Sequence, residues 1–87
     1  MDYCQQVVQW LQSIISWLNS VVSWLNGLWW LFGAQNWAIN EINSYINTLQ
    51  GWESWIAANC DAVDEIASIV NTVEEIISVV EWIVSLF

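Results

Sequence analysis

The sequence predicts an all-α chain: long amphipathic helices with heptad repeats, forming a multi-stranded coiled coil of three or more strands or a helical bundle. Three observations carry that expectation. A seven-residue repeat runs through the first third of the chain, a second heptad register closes it, and no proline breaks either. Two-residue alternation, the mark of a half-buried strand, is missing from both.

The first element is read over residues 4–32. Trp10-Leu11-Gln12-Ser13-Ile14-Ile15-Ser16 is followed by Trp17-Leu18-Asn19-Ser20-Val21-Val22-Ser23, and then by Trp24-Leu25-Asn26-Gly27-Leu28-Trp29-Trp30. With Trp10 at heptad position g, Leu11 falls at a, Ile14 at d and Ile15 at e. Trp17, Leu18, Val21 and Val22 repeat the set, as do Trp24, Leu25, Leu28 and Trp29. A two-stranded seam needs only a and d. A face that also covers g and e is wide enough for two neighbours at once. Its opposite side is Gln, Ser, Asn and Gly, polar but uncharged.

Gly33 marks the first boundary, because glycine takes the left-handed conformation that ends helices, and Asn36 is placed to cap the next one. A second element follows over 36–50, with Ile39, Ile42, Ile46 and Leu49 on one face and Asn40, Glu41, Asn43, Ser44 and Asn47 on the other. Gly51 reads as a second interruption, with Ser54 or Asp61 as the next cap. The last element, read over 54–86, has the cleanest register: Ile66, Val73, Val80 and Phe87 at a, and Ile69, Ile76 and Ile83 at d, flanked by Val63, Val70, Ile77 and Val84 at e. Ile at d with Val or Ile at a favours three or more strands. The organisation expected is thus an uncharged Trp-rich heptad helix in 1–33, a short amphipathic helix in 34–51 and an acidic coiled-coil helix in 52–87.

Charge narrows the function. The 87 residues carry nine carboxylates and no Lys, Arg or His, and eight of the nine lie in 41–87. No side-chain salt bridge forms within the chain or between copies, so association is helped by salt or by a basic partner. Nucleic-acid binding is excluded, since phosphate contacts rest on Lys and Arg. Ser-His-Asp and Cys-His pairs, Schiff-base lysines and His-rich metal sites cannot be built. The chain is therefore read as no enzyme, with no catalytic residue, cofactor or metal. The densest set of potential ligands, Cys60, Asp61, Asp64 and Glu65, is read as helix-start acids beside a buried thiol, and only secondarily as a weak divalent-cation site.

Cys4 and Cys60 are too few for a disulfide framework and are expected as small buried hydrophobes, a disulfide being the alternative. No basic leader segment is seen, and the Asn-X-Ser/Thr sequon is missing. Residues 7–32 are long enough to span a bilayer, but eight of these 26 are Gln, Ser or Asn, and Trp recurs at every depth rather than at two interfaces.

Nine Trp and 57% hydrophobic residues are more apolar surface than so small a chain hides alone. A homo-oligomer is therefore expected, with an interface at Trp10, Leu11, Ile14, Ile15, Trp17, Leu18, Val21, Val22, Trp24, Leu25 and Leu28 in the first helix. Ile66, Ile69, Val73, Ile76, Val80 and Ile83 complete it in the last. As a class, an uncharged Trp-rich heptad helix joined to an acidic one resembles structural proteins of virus particles, implying a self-assembling connector or scaffold within a larger protein assembly. Residues 7–32 support the alternative of a small membrane-associated or membrane-permeabilising protein. There the resemblance is to holin-like proteins, whose usual basic tail this chain lacks.

Overall fold

The computed structural model describes residues 3–87. It is all-helical: α1 spans Tyr3–Asn26, α2 spans Asn36–Ala58 and α3 spans Val63–Ser85, with a single 3-10 turn at Trp29–Leu31. Each helix has 23 or 24 residues and is about 35 Å long at 1.5 Å per residue. The body measures 48 × 18 × 17 Å, so the three lie side by side. Short connections reverse the chain twice. The beginning of α1 meets the end of α2 through a Cys4–Cys60 disulfide, and the beginning of α2 meets the end of α3, where Trp37 and Phe87 have ring centroids 6.2 Å apart.

The core is the heptad seam of each helix. From α1 it takes Cys4, Val7, Leu11, Ile15, Leu18, Val21 and Leu25, with Leu28 just beyond. From α2 it takes Ala38, Ile42, Ile46, Leu49 and Ile56, and from α3 Ile66, Val73, Ile76, Val80 and Ile83. These side chains form one cluster. Flank positions such as Trp10, Ile14, Trp17, Val22, Ile69 and Val70 are half-buried against it. One polar cross-link joins two helices on the outside: Gln12 Nε2 of α1 donates to Glu53 Oε1 of α2 at 2.9 Å.

The boundaries differ from expectation in three places, each with a physical cause. The first helix ends at Asn26, since Leu28-Trp29-Trp30-Leu31-Phe32 is apolar all round and one buried face cannot take five successive side chains. Gly51 interrupts nothing and lies exposed inside α2. The seam at Ile42, Leu49 and Ile56 runs through it, and this burial outweighs glycine's cost of about 1 kcal/mol in a helix. Neither proposed cap acts: Ser54 is inside α2, and α3 starts after Ala62 without a side-chain cap. Asp61 lies in the preceding turn, while Asp64 and Glu65 occupy the first turn of α3, where the helix dipole favours anions. Asn36 begins α2, but it is Gln35 that precedes the helix, again without a side-chain cap.

The cysteines are also corrected. They are joined, with Cα atoms 5.3 Å apart across 56 residues of sequence, because the antiparallel packing of α1 and α2 sets the start of one beside the end of the other.

Candidate interaction surfaces

The residues expected at an oligomer interface divide into three groups. Leu11, Ile15, Leu18, Val21, Leu25, Leu28, Ile66, Val73, Ile76, Val80 and Ile83 are buried within the chain's own core. Trp10, Ile14, Trp17, Val22 and Ile69 are half-buried at its margin. Trp24 alone among them is exposed.

Tyr3, Trp55 and Val63 are exposed at one end of the body, but most of the apolar surface that remains gathers at the other, where α1 stops, α2 starts and α3 stops. It is built as follows. Gly27 leaves the helix by bonding its N–H to the Ser23 and Trp24 carbonyls, both at 3.1 Å. Leu28 turns inward to the core. Trp29, Trp30 and Leu31 form the 3-10 turn, and the first two rings meet edge to face at 6.0 Å. Phe32 then adopts a left-handed backbone at φ 52°, followed by Gly33 at φ 88°. Gly33 takes that conformation freely, whereas a bulky side chain pays about 1–2 kcal/mol for it.

The loop is tied down by Gln35. Its Nε2 donates to the Leu25 carbonyl at 2.9 Å and to the Leu28 carbonyl at 3.2 Å. Leu25 lies in the last turn of α1 and Leu28 just beyond it, and each carbonyl also accepts a backbone N–H, from Leu28 and Leu31. Gln35 is the buried polar residue of the core, and its Oε1 has no hydrogen-bond partner. Around this anchor Trp29 is 75% and Phe32 89% exposed, and Trp30, Trp37, Leu86 and Phe87 are exposed beside them. No charged residue occurs between positions 3 and 40, so this aromatic pole draws its nearest carboxylates from Glu41 and Glu81, about a turn or more further along α2 and α3.

The opposite pole carries Cys4–Cys60 and the acids Asp61, Asp64 and Glu65. Cys60 spends its sulfur in the disulfide, which leaves carboxylates alone at the place considered for a cation. Among the described residues no group of three or more His, Cys, Asp or Glu side chains is arranged to hold a metal ion. Nor, among them, is any helix long and apolar enough to cross a membrane; residues 7–32 bend at Gly27 instead of continuing as one span.

Comparison with known protein families, with curated proteins and with solved structures finds no match.

Two features of the pole carry a sequence signal that residue type alone hides. Gln35 lies in register with Ile42, Leu49 and Ile56 at seven-residue steps, a signal that marks it as core-facing. Trp29-Trp30-Leu31-Phe32 ahead of Gly33 is the other: three rings in four positions before a helix terminator cannot share one buried face. Phe32's backbone conformation has no sequence signature, since glycine, asparagine or aspartate is the residue usually found there.

Proposed function

We propose that the chain is a structural, non-catalytic protein: a three-helix bundle whose coiled-coil seams close on one another within one chain, and which self-associates through its aromatic pole as a connector or scaffold unit of a larger assembly. The observation that supports this most directly is the pole itself. Phe32 is 89% exposed on a left-handed backbone, so the fold spends energy to present a ring to the outside. Strain held at an exposed position marks a functional surface more often than a packing need. An uncharged patch of this kind is a contact site.

Charge selects the geometry of association. Contact along the side of α3 would bring Glu74, Glu75 and Glu81 of one copy against the same groups of another, and the outer side of α1 is uncharged but offers mainly Gln, Ser and Asn. Contact pole to pole keeps the acidic ends at opposite extremes of a particle about twice the 48 Å length of one body. That distance far exceeds the screening length of about 10 Å at 0.1 M salt. Most of the a and d residues serve the intrachain core, and the pole, which includes Phe87, is left to meet a neighbour.

The test is the solution mass measured by light scattering across salt concentration. A fixed multiple of the 10.1 kDa chain, favoured by salt and reduced to the monomer by Trp30→Ser with Phe32→Ser, is the expected result. A monomer at every salt concentration would overturn the reading. The tryptophans favour one second reading, in which the pole rests in a bilayer interface, where amphipathic rings collect. Co-flotation with zwitterionic vesicles by a chain that stays monomeric without them would select it.

A further inference from the structure

Two clefts open beside α3, and they have the same composition. One, of about 410 Å³, lies between α1 and α3 and is lined by Trp17, Ser20, Val21, Trp24, Glu81 and Val84. The other, of about 350 Å³, lies between α2 and α3 and is lined by Trp52, Trp55, Glu65, Ser68 and Ile69. Each brings together two tryptophans, one glutamate, one serine and branched aliphatic carbon. In each, one tryptophan is half-buried and the other, Trp24 or Trp55, is exposed, so ring surface is accessible while the indole pair stays anchored. Both volumes lie within the range of small-molecule sites, about 300–1,000 Å³.

We propose that these clefts are paired binding sites for small organic cations of the quaternary ammonium class. The face of an indole carries the negative part of the ring quadrupole and attracts a cation within about 6 Å. The carboxylate adds a full charge, and its counter-ion comes from outside, because the chain has no Lys, Arg or His. The remaining lining selects among cations. A lysine ammonium brings three N–H donors and an arginine guanidinium five, whereas each cleft lines its wall with one carboxylate and one hydroxyl as side-chain acceptors. A quaternary ammonium has no N–H to satisfy and presents a shell of methyl groups, which matches walls made of Trp, Val and Ile. A simple metal ion would find one carboxylate where it needs several oxygens. The ligand is a free small molecule of a size that either cleft holds, one cleft lying between α1 and α3 and the other between α2 and α3.

The experiment is a titration of the whole oxidised chain with choline and with tetramethylammonium, followed by tryptophan fluorescence and calorimetry. Sodium chloride at equal ionic strength controls for general screening, and 3,3-dimethylbutanol, the uncharged isostere of choline, controls for apolar contact. Saturable binding at two sites per chain is expected, at least tenfold weaker for the isostere. Trp24→Leu and Glu81→Gln should each remove one site and leave the other, and Trp55→Leu and Glu65→Gln should do the reverse, with helicity retained in all four. A response equal to that of sodium chloride would overturn the proposal. So would a choline affinity matched by the isostere, or a stoichiometry that none of the four substitutions changes.

Discussion

At the scale of single residues, the loop between α1 and α2 depends on one amide. Gln35 Nε2 serves the carbonyls of Leu25 and Leu28 together, each of which also accepts a backbone N–H, from Leu28 and Leu31 respectively. Gln35→Leu should therefore remove both side-chain bonds while each carbonyl keeps its backbone partner, at about 0.5–1.5 kcal/mol for each bond lost. Gln35→Glu is nearly the same shape and should be worse near neutrality, because a carboxylate then faces two carbonyls. Its stability should recover in part as acid protonates it and restores one donor. Urea midpoints for the two variants across pH check this; equal midpoints at every pH would mean that the amide fills space and nothing more. Tyr45 gives a second test. Its pKa is raised above the ordinary 10.0 first by burial and then by Glu41, which accepts its hydroxyl hydrogen bond and repels the phenolate. The folded state thus holds the proton more tightly than the unfolded chain. The resulting stability is complete below about pH 10 and is lost as pH rises from there through the folded pKa. Alkaline unfolding should show a component that Tyr45→Phe removes.

At the scale of elements, the glycines separate what the sequence reveals from what it hides. Both Gly33 and Gly51 read as breaks, yet only Gly33 has a left-handed backbone. A β-carbon on Gly33 would sit 3.3 Å from Asn36 Nδ2, and one on Gly51 would meet nothing within 4 Å. Gly51→Ala should then stabilise the chain by about 1 kcal/mol through helix propensity, and Gly33→Ala should destabilise it by about 1 kcal/mol or more. Thermal melts of the two would move in opposite directions, and a shared sign would contradict the boundary drawn here. The seams themselves were legible: Leu11, Leu18 and Leu25, or Ile66, Val73 and Val80, are core because seven-residue spacing returns them to one face. The same arithmetic carries Ile42 and Leu49 on to Ile56, across Gly51, and a helix boundary read from residue type alone misses that. Periodicity says that a seam is buried without saying against what, since a partner helix in the same chain and one in another copy leave the same pattern. The aromatic pole and the two tryptophan clefts were illegible for a related reason. They are made where different helices come together, Trp17 and Trp24 beside Glu81, or Trp52 and Trp55 beside Glu65, at separations that no local window contains.

At the scale of the whole molecule, eight of the nine like charges lie in residues 41–87 and are distributed unevenly over a body 48 × 18 × 17 Å. The end that carries Asp61, Asp64 and Glu65 is also the end that carries the Cys4–Cys60 bridge. The bridge closes a loop of 56 residues in sequence, which by loop-closure entropy corresponds to about 4 kcal/mol against the reduced chain. It also holds together the turn where the acids are densest, so repulsion there acts on a region that cannot separate. Reduction removes the constraint and leaves the repulsion. At about 0.01 M salt the screening length of about 30 Å exceeds the 18 Å width of the body, so the carboxylates of α2, α3 and the turn between them all act on one another; at 0.15 M it falls to about 8 Å and only near neighbours do. The melting temperature should rise with salt in both forms, since the chain has no cationic side chain whose pairing salt could weaken. The rise should be steeper after reduction, and steeper too in Cys4→Ser with Cys60→Ser, where the acidic end is free to fray. Substituting Asp61 and Asp64 by Asn in that double variant should flatten the salt dependence back toward that of the bridged chain. Melts recorded against sodium chloride for these forms measure the coupling directly. Parallel slopes for bridged and unbridged chains would mean that charge repulsion is spread along the whole body and that the disulfide acts on chain entropy alone.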